Sequence, residues 1–198
     1  MSKQRSYPRH VKTEAGDIEF RLMSRADETA VLAFAQKLPT HDLLFLPRNI
    51  SQPKVLSAWV NEIERGAITS LLAIKDGNVV GCGTLVRDPH SWSPHVGEIR
   101  MVVSKDVRGQ GVGRALSQET FALALDASGL EKLVAQMTVD QQAAIALFES
   151  LGFKAEALLR DHVRDVDGKK HDIVVLGHNI AQFAAQMEAF GLPEAVRH

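Results

Sequence analysis

A mixed α/β fold is predicted by three observations on the sequence. Apolar residues make up 45% of its 198 residues, enough to bury one substantial core, so one main domain is expected. Short strand-like runs alternate with segments whose apolar residues recur at helical spacing. Where one strand-like run passes into a helix-like one lies "KDVRGQGVGRAL" (105–116), a turn with three glycines and two arginines. The order along the chain reads β-α-α-β-β-β-α-β-α-β-β, followed by a C-terminal helix.

The first 17 residues are polar, without the apolar stretch of a signal peptide, and are expected to be a flexible N-terminal segment. "IEFRLM" (18–23) reads as the first strand. Ser24 and Asp27 resemble a capping box, and Val31, Phe34, Ala35 and Leu38 fall on one face of a helix that Pro39 stops. "THDLLFLPRN" (40–49) is a loop with apolar residues that look exposed. Ser51 and Pro53 open a second helix carrying Leu56, Trp59, Val60 and Ile63 on one face, with Gly66 as its C-terminal cap. "AITSLLAIKDGNVVGCGTLVRD" contains two strands joined at Asp76-Gly77-Asn78, a hairpin signal. "EIRMVVS" and "KLVAQMTV" flank the glycine turn and its helix in a βαβ-like arrangement. A short helix from Gln141 to Leu151 follows, and after Gly152 the runs "FKAEALLRDHVRD" and "HDIVVLGH" pair around the turn "DVDGKK". The tail "NIAQFAAQMEAFGLPEAVRH" reads as an amphipathic helix with Ile180, Phe183, Ala184 and Met187 on one face, folded back on the domain or used as a dimer contact. The expected organisation is a flexible segment (1–17), a main domain (18–177) and a helical extension (178–198).

Charge and cysteine usage narrow the function classes. A formal net charge of −1 provides no global field to draw in nucleic acid or an anionic membrane. The single cysteine, Cys82, has no intramolecular disulfide partner, and no apolar run approaches the ~20 residues that span a bilayer, so a cytoplasmic protein is expected.

The glycine turn stands where anions bind, since a helix N-terminus presents unpaired N–H groups and the positive end of its dipole. A Walker loop needs Lys-Ser/Thr after its last glycine, but Gly113 precedes Arg114 and Ala115. A dinucleotide fingerprint beginning at Gly109 needs glycine where Arg114 stands. What remains is R-x-x-G-x-G: Arg108, Gly111 and Gly113. This motif resembles the loop of the GNAT superfamily of acyl-CoA-dependent N-acyltransferases, which binds the coenzyme A pyrophosphate through backbone N–H groups. A second segment, "QQAAIALFESLGF" (141–153), resembles the family's helix beside the pantetheine arm.

The resemblance implies a GNAT-like central mixed sheet, mostly antiparallel and flanked by helices. It implies acetyl-CoA as acyl donor, bound by Arg108, Gly109, Gln110, Gly111, Val112, Gly113 and Arg114, by the backbone of Met101, Val102 and Val103, and by Gln141, Ala144 and Phe148. Two positions depart from the pattern. Gln141 stands where the family usually has Asn. Phe148 stands where it often has the tyrosine that protonates the departing thiolate, and the chain's one tyrosine, Tyr7, falls in the segment expected to be flexible.

An amine attacking a thioester must lose a proton, and the oxyanion needs a donor. The carboxylate best placed as base is Glu98, with His95 as competitor, while Glu98 pairing with Arg100 and His95 lying in a surface loop are the structural alternatives. His162 and His171 facing each other across the last hairpin lack a third ligand, so no metal is expected. Cys82, between Gly81 and Gly83, has no basic partner and is expected to be a small buried residue, so the acyl group passes directly to the amine. Two functions follow: an N-acetyltransferase acting on an amine of a small molecule or protein, as a monomer or homodimer, or a non-catalytic acyl-CoA-binding module. The resemblance implies that the acceptor binds between the loop 40–49 and the last hairpin.

Overall fold

The computed structural model describes residues 5–180. Eight strands form one sheet: β1 (Arg9–Thr13), β2 (Gly16–Leu22), β3 (Ile68–Lys75), β4 (Asn78–Val86), β5 (Val96–Val103), β6 (Lys132–Thr138), β7 (Lys154–Arg164) and β8 (Lys170–Asn179). Four helices accompany them: α1 (Glu28–Lys37), α2 (Pro53–Glu64), α3 (Val112–Leu125) and α4 (Gln142–Ser150). The strand order is β1-β2-β3-β4-β5-β6-β8-β7, and every neighbouring pair is antiparallel except β5 and β6. No helix among the described residues is long and apolar enough to cross a membrane.

The expected order holds, with one strand added in front. The stretch expected to be flexible contributes β1, which pairs with β2 from Arg9↔Phe20 to Thr13↔Gly16. The segment carries anchors that composition hides. Arg5 and Arg9 reach the buried Glu119 of α3 at 2.8 and 3.9 Å, and the Tyr7 hydroxyl donates to its carboxylate at 3.2 Å. At the other end, His178 and Asn179 complete β8, and the remainder of the proposed helical extension, 181–198, lies outside the described residues.

Local chemistry explains the elements. Asp76 and Gly77 take φ of +48° and +76°, the left-handed pair that a two-residue hairpin turn demands. Pro53 occupies the first turn of α2, where its missing N–H costs nothing, and Leu56 and Val60 are fully buried one turn apart. The Ser24 N–H donates to Asp27 Oδ2 at 2.9 Å ahead of α1, which ends at Lys37, just before Pro39.

Both faces of the sheet are covered. Helices α1 and α2 pack on one face against Leu72, Cys82 and Val102, and Leu43, Phe45 and Leu46 of the loop 40–49 join that core rather than facing solvent. On the other face, α3 packs against Phe20, Leu71 and Ala73, while Phe148 of α4 joins Phe153, Leu133 and Ile99. The close approach of α3 to β4 depends on small residues, because a Cβ at Gly83 would run into the side chain of Thr120.

Candidate active site

The site begins where the sheet comes apart. Strands β5 and β6 are paired only at Val96↔Lys132, Gly97↔Leu133 and Glu98↔Val134. Beyond Glu98, β5 continues on β4 as far as Val103, and β6 continues on β8 as far as Thr138. The two inner edges therefore diverge, leaving backbone donors and acceptors of Ile99–Val103 without a strand partner on that side, an opening suited to an extended ligand arm. The Met101, Val102 and Val103 side chains belong to the cores on either face, so contact with such an arm falls to their backbone.

The glycine turn closes the wide end of this opening. Gly109 and Gly111 take φ of +71° and +83°, and Gly111 is the N-cap residue of α3. Left-handed glycines before a helix turn successive N–H groups toward one concavity, the geometry that holds a phosphate. Gln110 is braced from behind: its carbonyl accepts from Ala15 N at 3.3 Å, and its amide donates to the Asp106 carbonyl at 3.0 Å. Val112 is fully buried and anchors the helix start, while Arg114 in the first turn is exposed and makes no ion pair among the described residues. Arg108 bends the other way, donating to the Val103 carbonyl at 3.1 Å and to Asp42 Oδ2 at 2.6 Å. It ties the turn to the loop after α1.

The candidates on α4 divide. Gln141 is the N-cap residue of α4, and its carbonyl accepts from Ala144 and Ile145 N–H, both at 3.0 Å. Ala144 is partly buried beside it. Phe148 is 5% exposed and meets Phe153 edge-to-face at 5.1 Å, as a core aromatic does. Tyr7 lies against α3, and burial together with the Glu119 carboxylate pushes its hydroxyl pKa well up. Neither ring places a proton donor at the opening.

The basic-site candidates also separate. Glu98 and Arg100 share one face of β5 and form a two-pronged ion pair at 2.8 and 2.7 Å, with both side chains about four-fifths buried. His95 is exposed in its loop, where its carbonyl accepts from Glu131 and Lys132 N–H at 2.8 and 3.2 Å.

A cleft of about 750 Å³ opens on the α2 side of β4 and β5, bordered by Trp59, Thr84, His90, Arg100 and Met101. Behind its wall, Trp59 Nε1 donates to Ser70 Oγ at 3.2 Å, and Ser70 meets the Thr84 hydroxyl at 3.1 Å. Cys82 lines the same cleft, and burial pushes its thiol up to about 12. Trp59, Thr84 and His90 carry no local motif in the sequence, since they come from two elements and one loop. The loop 40–49 and the last hairpin border a smaller hollow of about 370 Å³.

The last hairpin does not bring His162 and His171 together. His171 pairs with Val163, so His162 points to the opposite face of the ribbon and is exposed. His171 instead faces His41 of the loop after α1, ring centroids 5.0 Å apart, and Asp140 completes a cluster.

Comparison with known proteins agrees with this geometry. The sequence model of the Acetyltransferase (GNAT) family matches residues 36–153. Over 75 residues the chain is 33% identical to the ribosomal protein bS18-alanine N-acetyltransferase of Escherichia coli, covering 38% of this chain and 50% of that one. Over 128 residues it is 23% identical to N-alpha-acetyltransferase 30 of Schizosaccharomyces pombe, covering 64% and 85%. The chain spans 37% to 50% of the length of most of the curated relatives it matches. Among solved structures, a GNAT acetyltransferase of Streptococcus pneumoniae superposes with a TM-score of 0.72 at 21% identity over 82% of this chain and 99% of that one. An acetyltransferase of Salmonella typhimurium, solved with its cofactor acetyl-CoA, gives 0.70 at 20% identity over 82% and 94%.

Proposed function

Since the chain belongs to the Acetyltransferase (GNAT) family, a family of acyl-CoA-dependent N-acyltransferases whose co-substrate is acetyl-CoA, we propose that it moves an acetyl group from acetyl-CoA to a primary amine by direct attack in a ternary complex. One observation carries this reading: the parting of β5 from β6 opens beside the left-handed glycines at the start of α3. The diphosphate is read onto the N–H groups of Gly109–Arg114, with Arg114 as a nearby cation, and the pantetheine arm onto the free edge of β5. The amine nitrogen attacks the thioester carbon, a C–N bond forms, the C–S bond breaks and coenzyme A leaves as thiolate. No proton donor is needed for an alkyl thiol of pKa about 8.5. The buried thiol of Cys82 stays protonated at neutral pH, which supports direct transfer over an acyl-cysteine.

Glu98 is the proposed base for the amine proton, acting through water, with Arg100 holding its carboxylate in place. The cleft beside Arg100 is the proposed acceptor site. Relatives named for ribosomal-protein alanine and for spermidine illustrate protein and small-molecule acceptors. Along the cleft Arg65 pairs with Glu62, Arg100 with Glu98, and the Arg87 guanidinium turns to the Ser128 carbonyl, so the remaining charges, Arg48 and Asp88, balance and favour neither class of amine. A cytoplasmic protein, monomeric or homodimeric, fits this reading.

The reading is tested by calorimetric titration with acetyl-CoA, followed by release of coenzyme A thiol with amino acids, peptide N-termini and spermidine as acceptors. Saturable binding with amine-dependent thiol release supports it; absence of acetyl-CoA binding overturns it. A non-catalytic acyl-CoA-binding module is the second reading, favoured by the burial of Phe148 where the family often carries its acid, and binding without release under every acceptor would establish it.

A further inference from the structure

Three residues from separate elements converge beside the loop after α1. His41 Nε2 lies 2.9 Å from Asp140 Oδ2, and His171 offers a third ligand atom within 4.8 Å of both. Asp140 follows β6 and His171 is the second residue of β8, so the sheet ladder fixes both backbones: Thr138 pairs with Ile173, and Val139 N–H donates to the Asp172 carbonyl at 3.1 Å. His41 sits in the short 3-10 turn Thr40–Leu43, whose next residue, Asp42, is held by Arg108.

The spacing approaches that of ligands around one ion. Nitrogen and oxygen atoms bound to Zn²⁺ at about 2.0–2.2 Å lie roughly 3–3.5 Å apart. The His41–Asp140 pair, at 2.9 Å, needs to open by a few tenths of an ångström, and His171, within 4.8 Å, needs to close by up to about 1.5 Å, both within the range of a side-chain rotation. His171 also has the support a ligating imidazole requires. Its Nε2 lies 2.7 Å from Asp165 Oδ2, and both side chains are largely buried, so a carboxylate fixes the ring's orientation. Two imidazoles and one carboxylate select a borderline transition metal over Mg²⁺ or Ca²⁺, and partial exposure of His41 and Asp140 leaves an entry path.

We propose that His41, Asp140 and His171 form a binding site for a divalent transition metal of the Zn²⁺ type, oriented by Asp165, that ties the turn after α1 to the ends of β6 and β8. The turn borders the smaller hollow, and Asp140 directly precedes Gln141, so the ion stands between that hollow and the second candidate acyl-CoA segment. Metal binding is measured without acyl transfer, so this proposal stands or falls separately from the acetyltransferase reading.

The test is titration of the full-length, tag-free, chelator-treated protein with Co²⁺, followed by visible absorption, with Zn²⁺ as competitor. One equivalent should bind and give ligand-field bands that Zn²⁺ abolishes. His41→Ala and His171→Ala should each weaken binding at least tenfold, and Asp165→Asn about 10- to 100-fold, as losses of an orienting carboxylate do. His162→Ala, on the opposite face of the hairpin, should bind as wild type does. Circular dichroism establishes that each variant is folded, and Zn²⁺ should raise the Tm of wild type but not of the His41→Ala/His171→Ala double variant. No saturable binding by wild type, or binding retained by the folded double variant, would overturn the proposal.

Discussion

Glu98 and Phe148 show how much a single side chain's neighbours decide. Glu98 faces the α2 side of β5 in a closed pair with Arg100, so its carboxylate is fixed at the narrow end of the opening, whereas His95 spends its carbonyl on the start of β6 and leaves its ring in solvent. If Glu98 removes the amine proton, Glu98→Gln lowers kcat/KM by roughly 10²–10⁴ while the calorimetric affinity for acetyl-CoA holds, and His95→Ala costs far less. A Glu98→Gln variant within threefold of wild type would reject the carboxylate as base. Phe148 tells the opposite story. Restoring the family's tyrosine there looks attractive from the sequence, but the ring is packed against Phe153 in a closed core, so a hydroxyl would be buried without a partner. Phe148→Tyr is expected to lose about 1–3 kcal/mol in urea unfolding and to leave turnover unimproved.

Elements were legible in the sequence where their signals are local. The hairpin at Asp76-Gly77, the proline start of α2 and the strand–glycine–helix unit each rest on residues within a few positions of one another, and each stands where its spacing places it. Strand β1 escaped because a five-residue edge strand, alternately half-buried and exposed, has too few apolar residues to be told from a polar tail. The His41–Asp140–His171 cluster and the Trp59–Ser70–Thr84 hydrogen bonds escaped because their members come from different elements that meet only in the fold. The glycine turn also yields a test at this scale. Gly111→Asp puts a carboxylate beside the proposed diphosphate, at a left-handed position that Asp tolerates better than most residues, so acetyl-CoA affinity should fall at least tenfold with the far-ultraviolet circular dichroism intact. Unchanged affinity would remove the turn from the binding site. The junction of β2 with α1 gives a pH test. The Arg21 guanidinium, with Ser24 N–H, holds the buried Asp27 carboxyl below the ordinary carboxylate range. A depressed folded value contributes stability that is present above the unfolded pKa of about 3.9 and lost as pH falls through the folded one. Asp27→Asn should therefore cost about 1.5–3 kcal/mol at pH 7 and flatten the acid limb of urea midpoints measured from pH 7 down to pH 3.

At the scale of the molecule, the N-terminal strand ties the glycine turn to the edge of the sheet. Strand β1 adds to the edge beyond β2, and just after it the N–H of Ala15 reaches the Gln110 carbonyl inside the turn. Arg5, Tyr7 and Arg9 meanwhile close over Glu119, which is 5% exposed in the middle of α3. The helix whose N-terminus faces the proposed diphosphate is thus held at its start by the brace on Gln110 and along its length by the cluster on Glu119. A chain starting at Gly16 loses both at once. It leaves the Glu119 carboxylate without its arginines, and breaking such a buried pair typically costs about 3–5 kcal/mol. We expect the shortened protein to unfold at a lower urea concentration and to bind acetyl-CoA more weakly, because the turn's N–H groups lose the brace that aims them. The double variant Arg5→Ala/Arg9→Ala separates the two effects: it strips the charges from Glu119 but keeps β1 and the Ala15–Gln110 hydrogen bond. If the brace acts on the turn, the double variant loses stability and keeps its acetyl-CoA affinity when both are measured at a temperature where it is fully folded. Equal loss of affinity in the double variant and the shortened chain would mean that the cluster on Glu119, and not the strand, positions the turn.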